Sequence, residues 1–121
     1  MIKNFQIHDN KIVIYSNNQE YQKVFDRKID RVIQHNDKLI VLLLLTGAPN
    51  QNILCLNEKA QVLWIVQDPD DYENGGKYKT RSPFGGTWIT DDNLLGGQNV
   101  CGSDYYINID TGKIVGHEFT K

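Results

Sequence analysis

The sequence predicts an all-β protein built from three small antiparallel sheet units. Apolar side chains recur at every second position in most of the patterned segments, and short corners rich in Asn and Asp separate those segments. No stretch shows the 3.6-residue period of an amphipathic helix. The chain has 121 residues, of which 40% are hydrophobic and 23% charged. This length suits a single domain, residues 1–121, and is too short for two.

The strands are predicted from segments rich in β-branched and aromatic residues. The run from Leu39 to Leu45 is apolar at every position, which is typical of a strand buried on both faces. The other predicted strands are, in order, Lys11–Tyr15, Asp30–His35, Asn52–Leu56, Gln61–Val66, Gly86–Thr90, Tyr105–Ile109 and Lys113–Val115.

Short corners join these strands. His8–Lys11, His35–Lys38 and Thr90–Asn93 all contain Asn or Asp, which adopt left-handed backbone angles readily and hydrogen-bond their own backbone. Asp110–Lys113 predicts a longer hairpin whose glycine takes a positive φ. Asn57–Ala60 occupies the corresponding place in the preceding unit without a glycine.

The corners reveal an internal repeat. Each unit reads strand, Asx corner, strand, variable loop, strand, turn and strand. The repeats are predicted at about residues 2–29, 30–66 and 84–119. The second half of the first unit is shortened to Glu20–Phe25. The sequence therefore predicts three four-stranded antiparallel units, of which the first is truncated.

Two segments carry a resemblance to a known fold. Residues 53–64 read ILCLNEKAQVLW and residues 105–115 read YYINIDTGKIV. They resemble the outer hairpin of blades in quinoprotein-like and related β-propellers, which commonly reads like aldaeTGkvlW. The second unit lacks the Thr-Gly pair and the third lacks the Trp. Propellers close with four or more blades, so the resemblance implies a half-propeller and no cofactor site on a central channel.

An open set of blades has a consequence for function. Its end sheets present faces and strand edges that a closed ring would cover, and such edges pair readily with other chains. The protein would then cap that surface, dimerise through it or bind a partner with it. The alternative is that the sheets wrap into an ordinary β-sandwich or barrel with nothing left open.

The long connection Gln67–Gly85 is the clearest candidate site, because loops of this length in compact domains tend to be functional. Its acidic residues come first, its basic residues follow, and aromatic residues are interleaved. We predict that it binds a protein partner through Asp68, Asp70, Asp71, Tyr72, Glu73 and Tyr78. The alternative is a solvated loop whose acidic block pairs with Lys77, Lys79 and Arg81.

Catalytic and metal sites are not predicted. The cluster Asp68–Asp71 lacks the alternating oxygen ligands and terminal Glu of a calcium loop. His8 and His35 occupy equivalent places in successive units, which favours structural roles, and His117 is expected to be exposed. No nucleophile, general base or cofactor motif is recognisable, so we predict that the protein is not an enzyme. Trp64 and Trp88 lie in strand patterns and are predicted to be core residues.

Composition favours a cytoplasmic protein. The formal net charge of −2 argues against direct nucleic-acid binding, and no apolar run is long enough to span a bilayer. Residues 1–5 lead straight into patterned sequence, so no signal peptide is expected. Cys55 and Cys101 fit no metal or redox motif and are expected to be free thiols.

These features are similar in style to the small, divergent, blade-like immunity proteins of contact-dependent and polymorphic bacterial toxins. The resemblance implies a cytoplasmic inhibitor whose acidic loop enters the basic cleft of a nuclease toxin as a phosphate mimic. A second hypothesis is a small-molecule or carbohydrate-binding module with Trp88, Tyr105 and Tyr106 along a concave face. A third is a structural unit that associates with copies of itself.

Overall fold

The structure is a computed structural model and describes residues 1–44, 51–69, 84–90, 92–99 and 103–119. These residues contain eleven β-strands in three antiparallel sheets, each formed by strands that follow one another in sequence. The first sheet contains β1 (Ile2–His8), β2 (Lys11–Ser16) and β3 (Gln19–Val24). The second contains β4 (Ile29–His35), β5 (Lys38–Leu43), β6 (Ile53–Leu56) and β7 (Val62–Ile65). The third contains β8 (Phe84–Ile89), β9 (Leu95–Asn99), β10 (Ser103–Ile107) and β11 (Ile114–Phe119).

The prediction of three antiparallel sheets, rather than one sandwich or barrel, is confirmed. Individual strands differ from the expectation. β9 is not among the predicted strands, because its sequence, Leu-Gly-Gly-Gln-Asn, lacks β-branched and aromatic side chains. The strand forms nevertheless, since β8 and β10 pair with it on both edges.

The turn chemistry is also confirmed. Asp9, Asn36 and Asn93 take φ values of 60°, 56° and 62°, which are the left-handed angles expected of the Asx corners. Gly112 takes φ 76° in the hairpin between β10 and β11. In the corresponding turn of the second sheet, Ala60 takes φ 61° although it carries a side chain.

The second strand of the second sheet, β5, is buried on both faces, as the apolar run predicts. Because side chains alternate along β5, Leu39, Val41 and Leu43 lie on one face, and Ile40 and Leu42 lie on the other. The first face packs against the first sheet, in a cluster that includes Ile12 and Ile14. The second face packs against the third sheet, in a cluster that includes Leu95, Tyr105 and Ile107.

Trp64 joins the second sheet to the third. Its indole Nε1 donates a hydrogen bond of 2.7 Å to the carbonyl oxygen of Ile109. The ring packs on Gly112, where an added Cβ would lie 2.5 Å from Trp64 Cε3. Glycine is therefore required at this turn by both the positive φ and the contact with the neighbouring sheet.

This contact explains both departures from the blade motif. Trp64 of the second sheet packs on Gly112 of the third sheet. The tryptophan and the glycine of the motif therefore contact each other between two neighbouring blades and not within one blade. Within the described ranges the first sheet has no fourth strand to carry a tryptophan, and Ala60 takes the place of the glycine in the turn of the second sheet. The third sheet is the last one described, and Gly116 stands at the position that corresponds to Trp64, four residues after the left-handed turn residue.

Candidate functional site

The structure describes only one of the six predicted partner-binding residues. Asp68 is partly exposed and lies shortly after β7. The other five, Asp70, Asp71, Tyr72, Glu73 and Tyr78, lie outside the described residues. The residue before Asp68 is held by the third sheet: Gln67 N–H donates to the carbonyl of Gly112, and its Oε1 accepts from the backbone N–H of Ile114, both at 2.9 Å. These two hydrogen bonds fix the position of Gln67, directly before the predicted acidic segment Asp68–Glu73.

A second candidate surface is the outer face of the third sheet, which points away from the second sheet. The face is defined by residues that alternate with the buried ones in register across the sheet. One cross-strand row contains Trp88, Gly96, Tyr106 and Gly116, and the next contains Gly86, Gln98, Asp104 and Glu118. We call this surface the acidic–aromatic face.

The aromatic row lies on a floor of glycines. The indole of Trp88 covers Gly96, where an added Cβ would lie 2.2 Å from Trp88 Cε2. At Gly116 the nearest atom to such a Cβ is Cδ2 of Tyr106, at 3.8 Å. Both aromatic side chains remain partly exposed. Because the other two residues of the row are glycines, no side chain stands between or beside the Trp88 and Tyr106 rings within this row.

The acidic row concentrates negative charge. Asp104 lies directly opposite Glu118 in the β10–β11 register, and like charges in such a pair repel. Oδ1 of Asp104 is buried and has no hydrogen-bond partner among the described residues. Burial, the charges of Glu118 and Asp104, and a hydrogen bond donated to Glu118 together raise the pKa of Tyr106 above its ordinary value. The Tyr106 hydroxyl thus donates its hydrogen bond to the Glu118 carboxylate.

Two aromatic predictions are corrected by this geometry. Trp88 is predicted as a core residue, but it lies on the outer face and belongs to neither core cluster. Tyr105 is predicted among ligand-lining aromatics, but it is 1% exposed and packs edge-on against Phe84 with ring centroids 5.8 Å apart. Neighbouring residues of a strand point to opposite faces, so only Tyr106 of the pair reaches the surface. Trp64 is a core residue, as predicted.

The histidines and potential metal ligands form no metal site within the described residues. His8 is exposed, and its Nε2 lies 3.3 Å from Oε1 of Gln6. His117 is exposed, as predicted, and its ring stacks on Tyr105 at 5.6 Å. No group of three His, Cys, Asp or Glu side chains in the described ranges is arranged to hold a metal ion. The same ranges contain no helix of the length and apolarity that crossing a bilayer requires.

Cys55 is a free thiol, as expected, and is fully buried between the second and third sheets. Burial raises its pKa from 9.0 to about 11. Cys101 lies outside the described residues. A thiolate is the reactive form of cysteine, so Cys55 is chemically protected in the folded protein.

We expect Cys55 to react with a thiol reagent at pH 8 roughly a hundredfold more slowly in the native protein than in urea, because the pKa difference lowers the thiolate fraction by about that factor. The measurement uses Ellman's reagent on a Cys101→Ser background. Above pH 9 the unfolded chain loses a proton that the native thiol retains up to about pH 11. The free energy of unfolding should therefore fall across that range. Equal reaction rates in the two states would contradict the burial of Cys55.

The arrangement of the sheets is similar to that of two solved structures. BamB from Moraxella catarrhalis, a β-propeller, is 13% identical with a TM-score of 0.56, over 98% of this chain and 35% of that chain. The computationally designed Ika8 protein is 10% identical with a TM-score of 0.55, over 99% of this chain and 37% of that chain. This chain thus spans little more than a third of either structure. The likeness confirms a propeller-like arrangement of blades and shows the fold alone.

No curated protein matches the chain. The model of one protein family, described as a domain of unknown function (DUF7957), matches residues 2–119. The match runs from the first residue of β1 to the last residue of β11. The chain therefore belongs to the DUF7957 family.

Proposed function

We propose that this protein is a cytoplasmic immunity protein that binds a cognate bacterial toxin, a nuclease of the contact-dependent or polymorphic kind, and blocks its active site. The role is one of binding and not of catalysis. The observation that carries the proposal is the acidic–aromatic face, which places Trp88 and Tyr106 beside Asp104 and Glu118. Tryptophan and tyrosine supply much of the binding energy of protein interfaces.

The electrostatics of this face suit a basic partner. In the free protein, the opposed carboxylates of Asp104 and Glu118 repel each other. A lysine or arginine of a nuclease cleft would relieve that repulsion by pairing with the exposed carboxylate of Glu118. The predicted acidic segment, Asp68, Asp70, Asp71 and Glu73 with Tyr72 and Tyr78, would add charge of the same sign. Complementary charge accelerates association and selects the partner.

Co-purification of the tagged protein with the product of the gene immediately upstream tests the proposal, together with survival of cells that express that product. We expect a stoichiometric complex and protection. The Asp104→Asn/Glu118→Gln variant should associate about tenfold more slowly at low salt and protect poorly, since it removes two charges from the interface. Its melting temperature should be unchanged or higher, because a like-charge pair is removed.

The matched control is Glu20→Gln/Asp30→Asn, which removes two exposed carboxylates from the first two sheets. It should leave association and protection unchanged. A third variant, with Asp68, Asp70 and Asp71 changed to Asn and Glu73 to Gln, measures the contribution of the acidic segment separately. Unchanged association in both acidic variants would contradict the electrostatic mechanism. The absence of any complex with the upstream product would contradict the toxin proposal itself.

The glycine floor beneath Trp88 and Tyr106 favours one other candidate function, the binding of a small molecule or carbohydrate. A sugar ring can stack on exposed aromatic side chains where no neighbouring side chain obstructs it. A thermal-shift screen with neutral oligosaccharides distinguishes the two. A shift that is lost in Trp88→Ala and kept in Asp104→Asn/Glu118→Gln would favour the sugar, because a neutral ligand does not need the carboxylates.

A further inference from the structure

In the part of the chain that the structure describes, the first sheet is one strand shorter than its neighbours. β3 pairs with β2 along one edge and with no strand of the described chain along the other. In the second and third sheets the third strand pairs on both edges, because β7 and β11 follow it. An unpaired edge presents backbone N–H and C=O groups to an incoming strand. The edge of β3 is therefore the place that a fourth strand of the first sheet would occupy.

The face of β7 that points toward the first sheet is exposed beside this unpaired edge. Ile65 and Val62 of β7 lie opposite Leu54 and Leu56 of β6, so all four face the first sheet. Leu54 and Leu56 are 7% and 0% exposed, whereas Ile65 and Val62 are 53% and 42% exposed. Trp64, on the opposite face of β7, is covered by the third sheet. The apolar surface of β7 is thus exposed on the side where the first sheet ends one strand early.

A groove of about 370 Å³ lies between these two features, lined by β3, β6, β7 and the link from the first sheet to the second. The link contributes Arg27, whose side chain is only 10% exposed. Arg27 Nε lies 3.5 Å from Oδ1 of Asp26, and Nη1 is buried without a hydrogen-bond partner in the described part of the chain. A buried guanidinium nitrogen that lacks an acceptor is costly. The groove therefore combines an unpaired strand edge, apolar side chains and a guanidinium group of which one nitrogen lacks an acceptor.

We propose that this groove is a docking site for an extended segment of a partner protein, which adds to β3 as the missing fourth strand. The segment carries apolar residues at alternate positions, which cover Val62 and Ile65, and an acidic residue that pairs with Arg27. Main-chain hydrogen bonds along the strand edge supply affinity, and the alternate side chains supply specificity. The site is separate from the acidic–aromatic face and does not depend on the identity of a toxin.

The fourth strands of this chain show what such a segment looks like. β7 reads Val-Leu-Trp-Ile and β11 begins Ile-Val, and each runs antiparallel to the third strand of its sheet. A second copy of the chain fits less well. If β3 of one copy paired with β3 of another, two of the three residues turned toward β7 would be polar in either register, because β3 reads Gln-Glu-Tyr-Gln-Lys-Val. Lys23 also lines the groove, and with Arg27 and Asp26 it leaves a net positive charge that suits an acidic segment.

Selection from a phage-displayed library of linear peptides on the full-length protein, with counter-selection on Ile65→Lys, tests the proposal. We expect enriched peptides with alternating apolar residues and one Asp or Glu. A synthetic copy of such a peptide should protect the amides of β3 from hydrogen exchange. It should bind Ile65→Lys at least about tenfold more weakly than wild type. The matched control is Val115→Lys, because Val115 is also 53% exposed but lies on the third sheet; its affinity should equal that of wild type.

Arg27→Met gives a second readout. If Arg27 serves the incoming strand, the free variant should be as stable as wild type or more stable, since a buried nitrogen that lacks an acceptor in the described chain is removed. Its affinity for the acidic peptide should fall at least about tenfold. Lys28→Met is the control on the same link, because its ammonium group is largely exposed. A marked loss of stability in Arg27→Met would assign Arg27 to the fold instead.

Three results would overturn the proposal. The library could yield no peptide that distinguishes wild type from Ile65→Lys, or its peptides could leave β3 unprotected. Sedimentation equilibrium could also show a wild-type dimer that Ile65→Lys dissociates, which would assign the groove to a second copy. The result is independent of the toxin experiment, because a peptide can bind β3 whether or not a toxin complex exists.

Discussion

Replacement of Gly112 by alanine is expected to lower the free energy of unfolding by about 3 kcal/mol. Part of this cost is the left-handed backbone, which disfavours a residue with a Cβ by about 1–2 kcal/mol. The remainder is overpacking, typically about 1–3 kcal/mol, because the new methyl group would lie 2.5 Å from the Trp64 ring. Urea denaturation of the variant and wild type measures the difference.

A double-mutant cycle with Trp64 isolates the contact. Trp64→Ala alone should cost about 3–5 kcal/mol, since it removes a buried indole and its hydrogen bond to Ile109. In that background, Gly112→Ala should cost only the backbone contribution of about 1–2 kcal/mol. The control is Ala60→Gly at the corresponding turn, where relief of the left-handed strain is opposed by loss of a buried methyl group, so stability should change by less than about 1 kcal/mol. An equal cost of Gly112→Ala in both backgrounds would contradict the packing of Trp64 on this turn.

Replacement of Asn52 by leucine is expected to cost about 3–5 kcal/mol. Asn52 is fully buried and connects the second and third sheets. Its Nδ2 donates to the carbonyls of Leu43 and Phe84 at 2.9 and 2.7 Å, and its Oδ1 accepts from Phe84 N–H at 2.8 Å. Leucine would leave these buried backbone groups without partners, at about 1–3 kcal/mol for each group.

Asn52→Asp tests whether the Asn52 side chain donates to the carbonyls of Leu43 and Phe84. A carboxylate cannot donate to the two carbonyls, so the variant should be strongly destabilised at pH 7. Protonation restores a donor, and burial raises the pKa of the new carboxyl, so the loss of stability should shrink as the pH falls below that pKa. The control is Gln51→Ala, which removes one partly buried bond to Val66 and should cost about 1 kcal/mol. A pH-independent loss in Asn52→Asp would contradict the two carbonyl contacts.

The fold class could be predicted because its signals are local. Alternation of side chains sets which residues can share a face, and Asn or Asp at a corner supplies the left-handed angle that a tight turn needs. The apolar run from Leu39 anticipates a strand with two buried faces for the same reason. β9 escapes prediction because its Leu-Gly-Gly-Gln-Asn sequence has little strand preference of its own. Its pairing is imposed by the strands on either side.

The candidate sites depended more on the fold. The alternation of side chains along a strand predicts that Tyr105 and Tyr106 point to opposite faces of the sheet, but it does not predict which of the two faces the core. Trp88 has the pattern of a core residue, yet β8 has no sheet packed on its outer face among the described residues. The opposition of Asp104 and Glu118 needs the register between β10 and β11, which residues far from both carboxylates help to set.

The sequence by itself determined the all-β class, the positions of the corners and the shortening of the first repeat unit, since each follows from local backbone preference and side-chain alternation. Only the tertiary structure decided which neighbour each face meets. It placed Trp64 of one sheet on Gly112 of the next, directed Trp88 and Tyr106 outward, and left β3, Val62 and Ile65 uncovered beside Arg27. The physical reason is that side-chain alternation within a strand fixes which residues share a face of the sheet, whereas the neighbour that covers that face is set by contacts between residues far apart in the sequence.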